Sequence, residues 1–354
     1  MPTSQRQKKR SPIKLFLAVM VVIMVLMVIV EQSSNRMIEV PLPKGVGVLD
    51  LSTCGNLLAA IFKDRKILLW NWDDLSIDPQ RGMTPTLEAV VLDAERVAAH
   101  RRTGQNSLVV SHLRDQHIIR EIPLGPDNNL KHLAANRDRS VLAVLLGGSS
   151  IIGPSRTIYQ LTKIDPDEVQ ADLIVTIDKD VDDFQLHHGA ISDDGRWAAL
   201  LGEQDKEGLV MVVDMAAKKI KWEITIPGPQ QLYKAAFGPD GSWFFAGDDN
   251  LILYKIQTDD GRVLKRIVAD EDIVRIIGDV KFYDLAVSPD GKMVAALTNT
   301  RKGGVWDCGS GQNIVKSIRT SEIASNVAFS PDGRWLAISD LHPSGKISII
   351  RLPD

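Results

Sequence analysis

The densest run of residues able to do chemistry is DKDVDDFQLHHG at 178–189. Asp178, Asp180 and Asp182 alternate there, and His187 and His188 follow closely. Carboxylate oxygens and imidazole nitrogens are the donors that calcium, zinc and related cations take. The spacing departs from a helix-loop-helix calcium site, which needs a glycine at its sixth place and a glutamate at its twelfth. These five residues stand as metal candidates against a plainer reading, a solvated connection between strands. Asp248 with Asp249, and Asp259 with Asp260, are adjacent carboxylates of the kind a glycosidase pairs. Neighbours on a strand point to opposite faces, however, and aspartates in turns bond their own backbone. GGSSIIGPSR at 147–156 has the glycine and serine of a phosphate cradle but lacks the lysine and helix that complete one. No G-x-S-x-G elbow, H-E-x-x-H helix, P-loop or dinucleotide fingerprint occurs. No catalytic residue is assigned, no cofactor is expected, and the chain reads as a non-enzyme.

A second set of residues suits contact. Arg65, Arg101, Arg156, Lys206, Arg301, Lys302 and His342 fall in short polar connections between apolar runs, where a rigid scaffold presents binding groups. Mixed charge on such loops fits a protein partner better than an anionic polymer. The formal net charge of −3 supplies no basic stripe for nucleic acid.

The elements that carry these residues are written repeatedly. VAFSPDGRWLAISD at 327–340 reads as strand, turn, strand. Pro331 pre-sets the first central turn position, Asp332 bonds its local backbone, and Gly333 takes a positive φ without steric conflict. The unit recurs as LAVSPDGKMVAAL, AAFGPDGSWFFAG and AISDDGRWAALLG, and more weakly at 49–61, 90–100 and 132–145. With Ser52, Asp93, Asn136, Ser192, Gly238, Ser288 and Ser330 as equivalent points, the steps run from 41 to 56 residues. Third and fourth strands follow most hairpins, as in EGLVMVVD and KIKWEITI. Four short strands at that period predict an all-β, seven-bladed β-propeller. The last unit stops after its third strand, so MIEVPL at 37–42 is expected to close the ring as the missing outer strand. Trp197, Trp243 and Trp335 repeat with the fold's period and are expected to wedge between blades; Trp72 has no counterpart and is expected to be exposed. Cys54 and Cys308 fall in turns of the first and sixth units, too far apart for a bridge, so free thiols are expected.

The SPDG turns, Trp306-Asp307 closing a third strand, Trp70-Asn71 in the equivalent place and the His188-Gly189 step resemble the WD-repeat family over about 37–354. Related bacterial propellers share the SPDG turn. The resemblance implies a rigid platform for protein partners and carries no catalytic residue across.

A different physics governs the front of the chain. Residues 1–14 form a basic tail, and LFLAVMVVIMVLMVIV at 15–30 is uninterrupted and apolar. As a helix this run spans about 24 Å, against roughly 30 Å of hydrocarbon. Residues 15–31 are expected to form a transmembrane signal-anchor helix, with 32–36 a short linker and 37–354 the propeller. No A-x-A-like site follows Val30, which disfavours cleavage. Arg6, Lys8, Lys9, Arg10 and Lys14 precede the run, so the N-terminus is expected in the cytoplasm and the propeller outside it. Together these features predict a membrane-tethered protein-interaction platform. The alternatives are a small-ligand or glycan sensor, and a propeller hydrolase or lactonase with a channel metal. Such enzymes gather carboxylates, Asn or His near strand starts at one channel mouth, whereas the starts here read VAF, LAV and AAF.

Overall fold

Seven antiparallel four-stranded sheets make up the described residues, and each reads in sequence order from inside outwards except the one that closes the ring. This computed structural model describes residues 37–353 apart from 41–46, 75–76, 85–88, 102–105, 125–129, 150–156, 169, 180–183, 229–230, 270–279, 301, 320–323 and 341–345. The innermost strands of blades one to seven are Val48–Cys54, Ala89–Val91, Leu130–Ala135, Phe184–Ile191, Leu232–Phe237, Phe282–Val287 and Ala324–Phe329. In the seventh sheet Met37–Val40 pairs antiparallel with Ile347–Arg351, Met37 opposite Ile350 and Val40 opposite Ile347. The N-terminal strand is thus the outer strand of the last blade, and the ring has no open seam.

The turn letters act as the sequence predicts. In the seventh blade Ser330 Oγ donates to Asp332 at 2.6 Å and accepts from the Trp335 N–H at 2.9 Å. Asp332 also accepts from the Arg334 N–H at 3.0 Å, and Gly333 sits at φ 72°. The same network recurs at Ser288-Asp290 and Ser192-Asp194. Two of the aligned points shift. The first unit turns through only Gly55 and Asn56, with Cys54 opposite Leu57, so Cys54 and not Ser52 is the equivalent position. In the second unit Leu92 takes the place of Asp93, its N–H bonding the Arg96 carbonyl at 3.0 Å.

The core is divided between the blade interfaces. Trp197 and Trp222 pack with Phe244 and Tyr254 between blades four and five, and Trp243 packs with Phe282 and Trp306 between blades five and six. Trp335 joins Trp70, Trp72 and Val40 where blades seven and one meet. The expectation of an exposed Trp72 is therefore corrected: only 5% of it is exposed, because the seam that closes the ring buries it. Cys54 and Cys308 are free and buried. Residues 15–30 lie outside the described residues, among which no helix is long and apolar enough to cross a membrane.

Candidate functional site

Six of the seven innermost strands carry a β-bulge at the same place. The extra residues are Leu49, Lys131, His187, Tyr233, Tyr283 and Ser325. A bulge inserts one residue, bends the strand and re-aims the side chains that follow. Directly after it stand Asp50, His132, His188, Lys234, Asp284 and Asn326, each four residues before its turn position. In the second unit Glu88 has the same offset and lies outside the described residues. Two residues further along, Ser52, Ala134, Ala190, Ala236, Ala286 and Ala328 line an axial cavity of about 1010 Å³ to which all seven blades contribute. Small side chains at that level keep the axis open. The cavity opens on the face of the SPDG turns, where Asp93, Arg137, Asp138, Arg139, Asp193, Pro289 and Pro331 form its mouth.

The ring below the alanines is charged, and its members interact between neighbouring blades. Lys234 Nζ lies 4.0 Å from Asp284 Oδ1, and the Val327 N–H donates to Asp284 Oδ2 at 2.9 Å. Burial nevertheless pushes the Asp284 carboxyl up to about 6, against the pull of Lys234 and with a further push from Asp50. Asp50 is raised too, chiefly by burial, with Arg139 and Lys234 drawing it back. The His132 and His188 rings lie 4.2 Å apart. Burial, with Lys234 nearby, lowers His132 to about 3, and burial with His132 and Lys234 holds His188 well below the ordinary range. Both imidazoles are neutral at pH 7, and the buried His188 Nδ1 has no hydrogen-bond partner among the described residues.

At the mouth, the third blade replaces SPDG by NRDR and reaches over its neighbours. Arg137 Nη1 is 3.3 Å from Asp193 of blade four and 3.4 Å from the Pro289 carbonyl of blade six. Arg139 Nη2 donates to the Thr53 carbonyl of blade one at 3.0 Å, and its buried Nε has no partner among the described residues.

The residues singled out from sequence fall elsewhere or only partly here. Asp178 is on the outermost strand of blade three, opposite Ile158, whereas His187 and His188 are on the innermost strand of blade four. Outermost and innermost strands of a four-stranded sheet lie roughly 14 Å apart, so these groups do not form one donor set. His187 instead lies 3.6 Å from Glu203, and burial lowers its pKa despite that carboxylate. Asp180 and Asp182 lie outside the described residues, and among those described no group of three or more His, Cys, Asp or Glu is placed to hold a metal. Asp248 is fully buried and accepts from Tyr254 Oη at 2.9 Å and from the Ile252 and Asn250 N–H groups at 2.7 and 2.9 Å. Asp259 pairs with Lys221 at 2.5 Å, and Asp260 accepts from the Arg262 N–H at 3.0 Å. These are turn and packing aspartates.

Of the contact candidates, Arg65 and Lys206 sit in tight turns at φ 70° and 66°, Arg101 pairs with Glu121, and Lys302 begins the third strand of blade six. They are spread over four blades on the face opposite the SPDG turns and do not converge. Arg156, Arg301 and His342 lie outside the described residues. The apolar starts VAF, LAV and AAF hide the charged ring, because they begin one residue after it and three residues after the strands themselves begin, at Ala324, Phe282 and Leu232. The signal was present: a polar residue stands four before the turn in NVAFS, DLAVS, KAAFG and HGAIS.

No protein-family model matches the chain, and no curated protein matches it.

Proposed function

We propose that this protein is a non-enzymatic binding propeller, tethered to a membrane by residues 15–30, whose recognition site is the axial cavity on the SPDG-turn face. One observation carries the reading: about 1010 Å³ of space, walled by alanines and other apolar side chains, with Arg137, Asp138, Arg139 and Asp193 at its mouth. Ligand pockets combine mostly apolar lining, a few fixed polar groups and volumes of roughly 300–1,000 Å³. The propeller holds that apolar wall on paired strands instead of loops, which suits recognition of one shape. A segment of a partner protein entering the mouth makes the ring an interaction platform, the role that the resemblance to WD-repeat propellers implies. The uninterrupted apolarity of 15–30 and its basic flank support an anchor with the N-terminus cytoplasmic and the propeller extracytoplasmic.

Narrowing the axis tests this. Ala236→Leu and, independently, Ala286→Leu place a larger side chain on the cavity wall. Proteins co-purifying with the detergent-solubilised full chain, and small molecules that raise its melting temperature, are expected to be lost with both variants. Partners retained by both variants would sink the channel reading.

A further inference from the structure

The third blade puts an arginine where the fold asks for glycine. Arg139 takes the last place of the NRDR turn, its N–H bonding the Asn136 carbonyl at 3.2 Å just as the Gly333 N–H bonds the Ser330 carbonyl in the seventh blade. The matching residues of blades four to seven are Gly195, Gly241, Gly291 and Gly333, at φ 66°, 67°, 72° and 72°, and Arg139 adopts φ 64°. A side chain in that region of backbone space costs stability, and such outliers persist at sites where something else holds them. Here the strained turn carries a guanidinium to the first blade, on the wall of the axial cavity. Nη2 donates to the Thr53 carbonyl at 3.0 Å, the guanidinium also reaches the Cys54 thiol, and the buried Nε has no partner among the described residues. Both of those partners are neutral. Asp50 feels the charge through space but forms no ion pair with it among the described residues.

The carboxylates at the mouth are otherwise committed. Arg96 Nε holds Asp93 at 2.7 Å, and Arg137 Nη1 holds Asp193 at 3.3 Å. Asp138 is exposed to water and accepts from the Ser140 N–H at 3.0 Å and hydroxyl at 2.6 Å. Arg139 is thus the cavity-lining cation that no carboxylate meets, half-buried and with a donor to spare, where a charge without a counter-charge is costly. The rest of the wall is largely apolar, with Leu51, Leu92, Phe237, Leu285 and Phe329 beside the alanines.

We propose that the axial cavity binds a carboxylate carried on an apolar body, the carboxylate paired with Arg139 at the mouth and the apolar part lying against the alanine wall. Guanidinium and carboxylate match in shape as well as in charge, two N–H groups meeting two oxygens. This rests on the axial cavity being the recognition site. Two sources share that chemistry, a free aliphatic acid and the C-terminal carboxyl of a partner protein with an apolar last residue.

The test is calorimetric titration of the full chain in lipid nanodiscs at pH 7.5, with empty nanodiscs as the reference. The probes are hexanoate, hexanamide and hexylammonium, and alongside them N-acetyl-leucine and its amide. Hexanoate or N-acetyl-leucine is expected to bind roughly tenfold or more tightly than its neutral amide, with hexylammonium weakest. Arg139→Gly restores the turn of the neighbouring blades, so it is expected to fold and to abolish that preference; Arg139→Gln provides the same readout should the first variant not fold. Binding of N-acetyl-leucine without hexanoate supports the proposal with a protein C-terminus as the source, and the reverse supports it with a free acid. Equal binding of charged and neutral probes, lost in Ala236→Leu, overturns the carboxylate assignment and leaves the channel reading standing. Carboxylate binding unchanged in both Ala236→Leu and Arg139→Gly overturns both. No binding of either carboxylate, or tighter binding of hexylammonium, overturns the proposal.

Discussion

Replacing Asp284 by asparagine is expected to make the protein more stable at pH 8. The carboxyl titrates at about 6 in the folded chain, against 3.8 for the free side chain, with burial as the leading cause. Roughly two units correspond to about 3 kcal/mol. Between those two values the folded state binds more protons than the unfolded one, so stability is fully present below about pH 4 and is lost as pH rises through about 6. Asparagine keeps an oxygen for the Val327 N–H, which lies 2.9 Å from the carboxylate, and cannot ionise. It also removes the partner of Lys234 at 4.0 Å, but that attraction is already contained in the rise to about 6, so the gain at pH 8 stays at about 3 kcal/mol. The unfolding entropy of a domain this long is roughly 0.7 kcal/mol/K, so the melting temperature should rise by about 4 °C. At pH 4 the two proteins should melt together. Scanning calorimetry from pH 4 to 8 provides the measurement. Parallel profiles, or a variant that melts lower than wild type at pH 8, would show that channel water solvates Asp284 well or that the Lys234 pair dominates. The description of the ring as desolvated would then fail.

Three further outcomes follow from packing and burial. A Cβ on Gly202 would meet the Gln185 carbonyl oxygen of the innermost strand at 1.8 Å. Because the obstacle is backbone, Gly202→Ala should destabilise by roughly 2–4 kcal/mol in urea unfolding, and a loss under 1 kcal/mol would show that the strands can separate there. Tyr254→Phe removes the hydroxyl that bonds the fully buried Asp248 and should cost about 1–2 kcal/mol. That loss should be larger at pH 8 than at pH 5, since the Asp248 carboxyl, raised to about 6 by burial, is ionised only at the higher value; a pH-independent loss would contradict the assignment. Burial pushes the Cys308 thiol up to about 12 and raises Cys54 as well. Neither thiol should react with a disulfide reagent in the folded protein at pH 8, and both should react once it is unfolded.

Much of the architecture was legible because single letters do local work. Ser330, Asp332 and Gly333 each have a bond or a dihedral to satisfy within five residues, so their pattern survives in the sequence as written. Ring closure was legible by counting, since one strand was missing at one end and one was spare at the other. The second and third blades were harder. Their turns, DAER and NRDR, lack glycine, and outer strands such as Ile118–Pro123 and Ala171–Lys179 carry no periodic marker. The burial of Trp72 is not legible in the sequence, because a residue without counterparts in the other repeats gives no sign of a packing role. The seam between blades seven and one is itself without counterpart, and it holds Trp70, Trp72 and Val40 together. The site was least legible. Its members come from different repeats, and only closing the ring brings Asp50 of blade one within electrostatic reach of Asp284 of blade six.

Repetition within the chain separates the fold's demands from those of the site. Two positions of every regular innermost strand border the axis, and they behave differently from blade to blade. The inner wall holds serine once and alanine five times among the cavity-lining strands, as expected where a larger side chain would close the bore. Four residues before the turn the identities scatter over aspartate, histidine, lysine and asparagine, with the bulge kept immediately before each. If that position served only to hold blades together, one residue type would suit all, because the strand geometry there is the same. Deep ionisable groups are instead a burden on stability, as the raised carboxyls of Asp50 and Asp284 show. A scaffold that keeps the bulge and the bore constant while varying costly charges around them spends stability on the channel's contents, and that favours a recognition site over a structural plug.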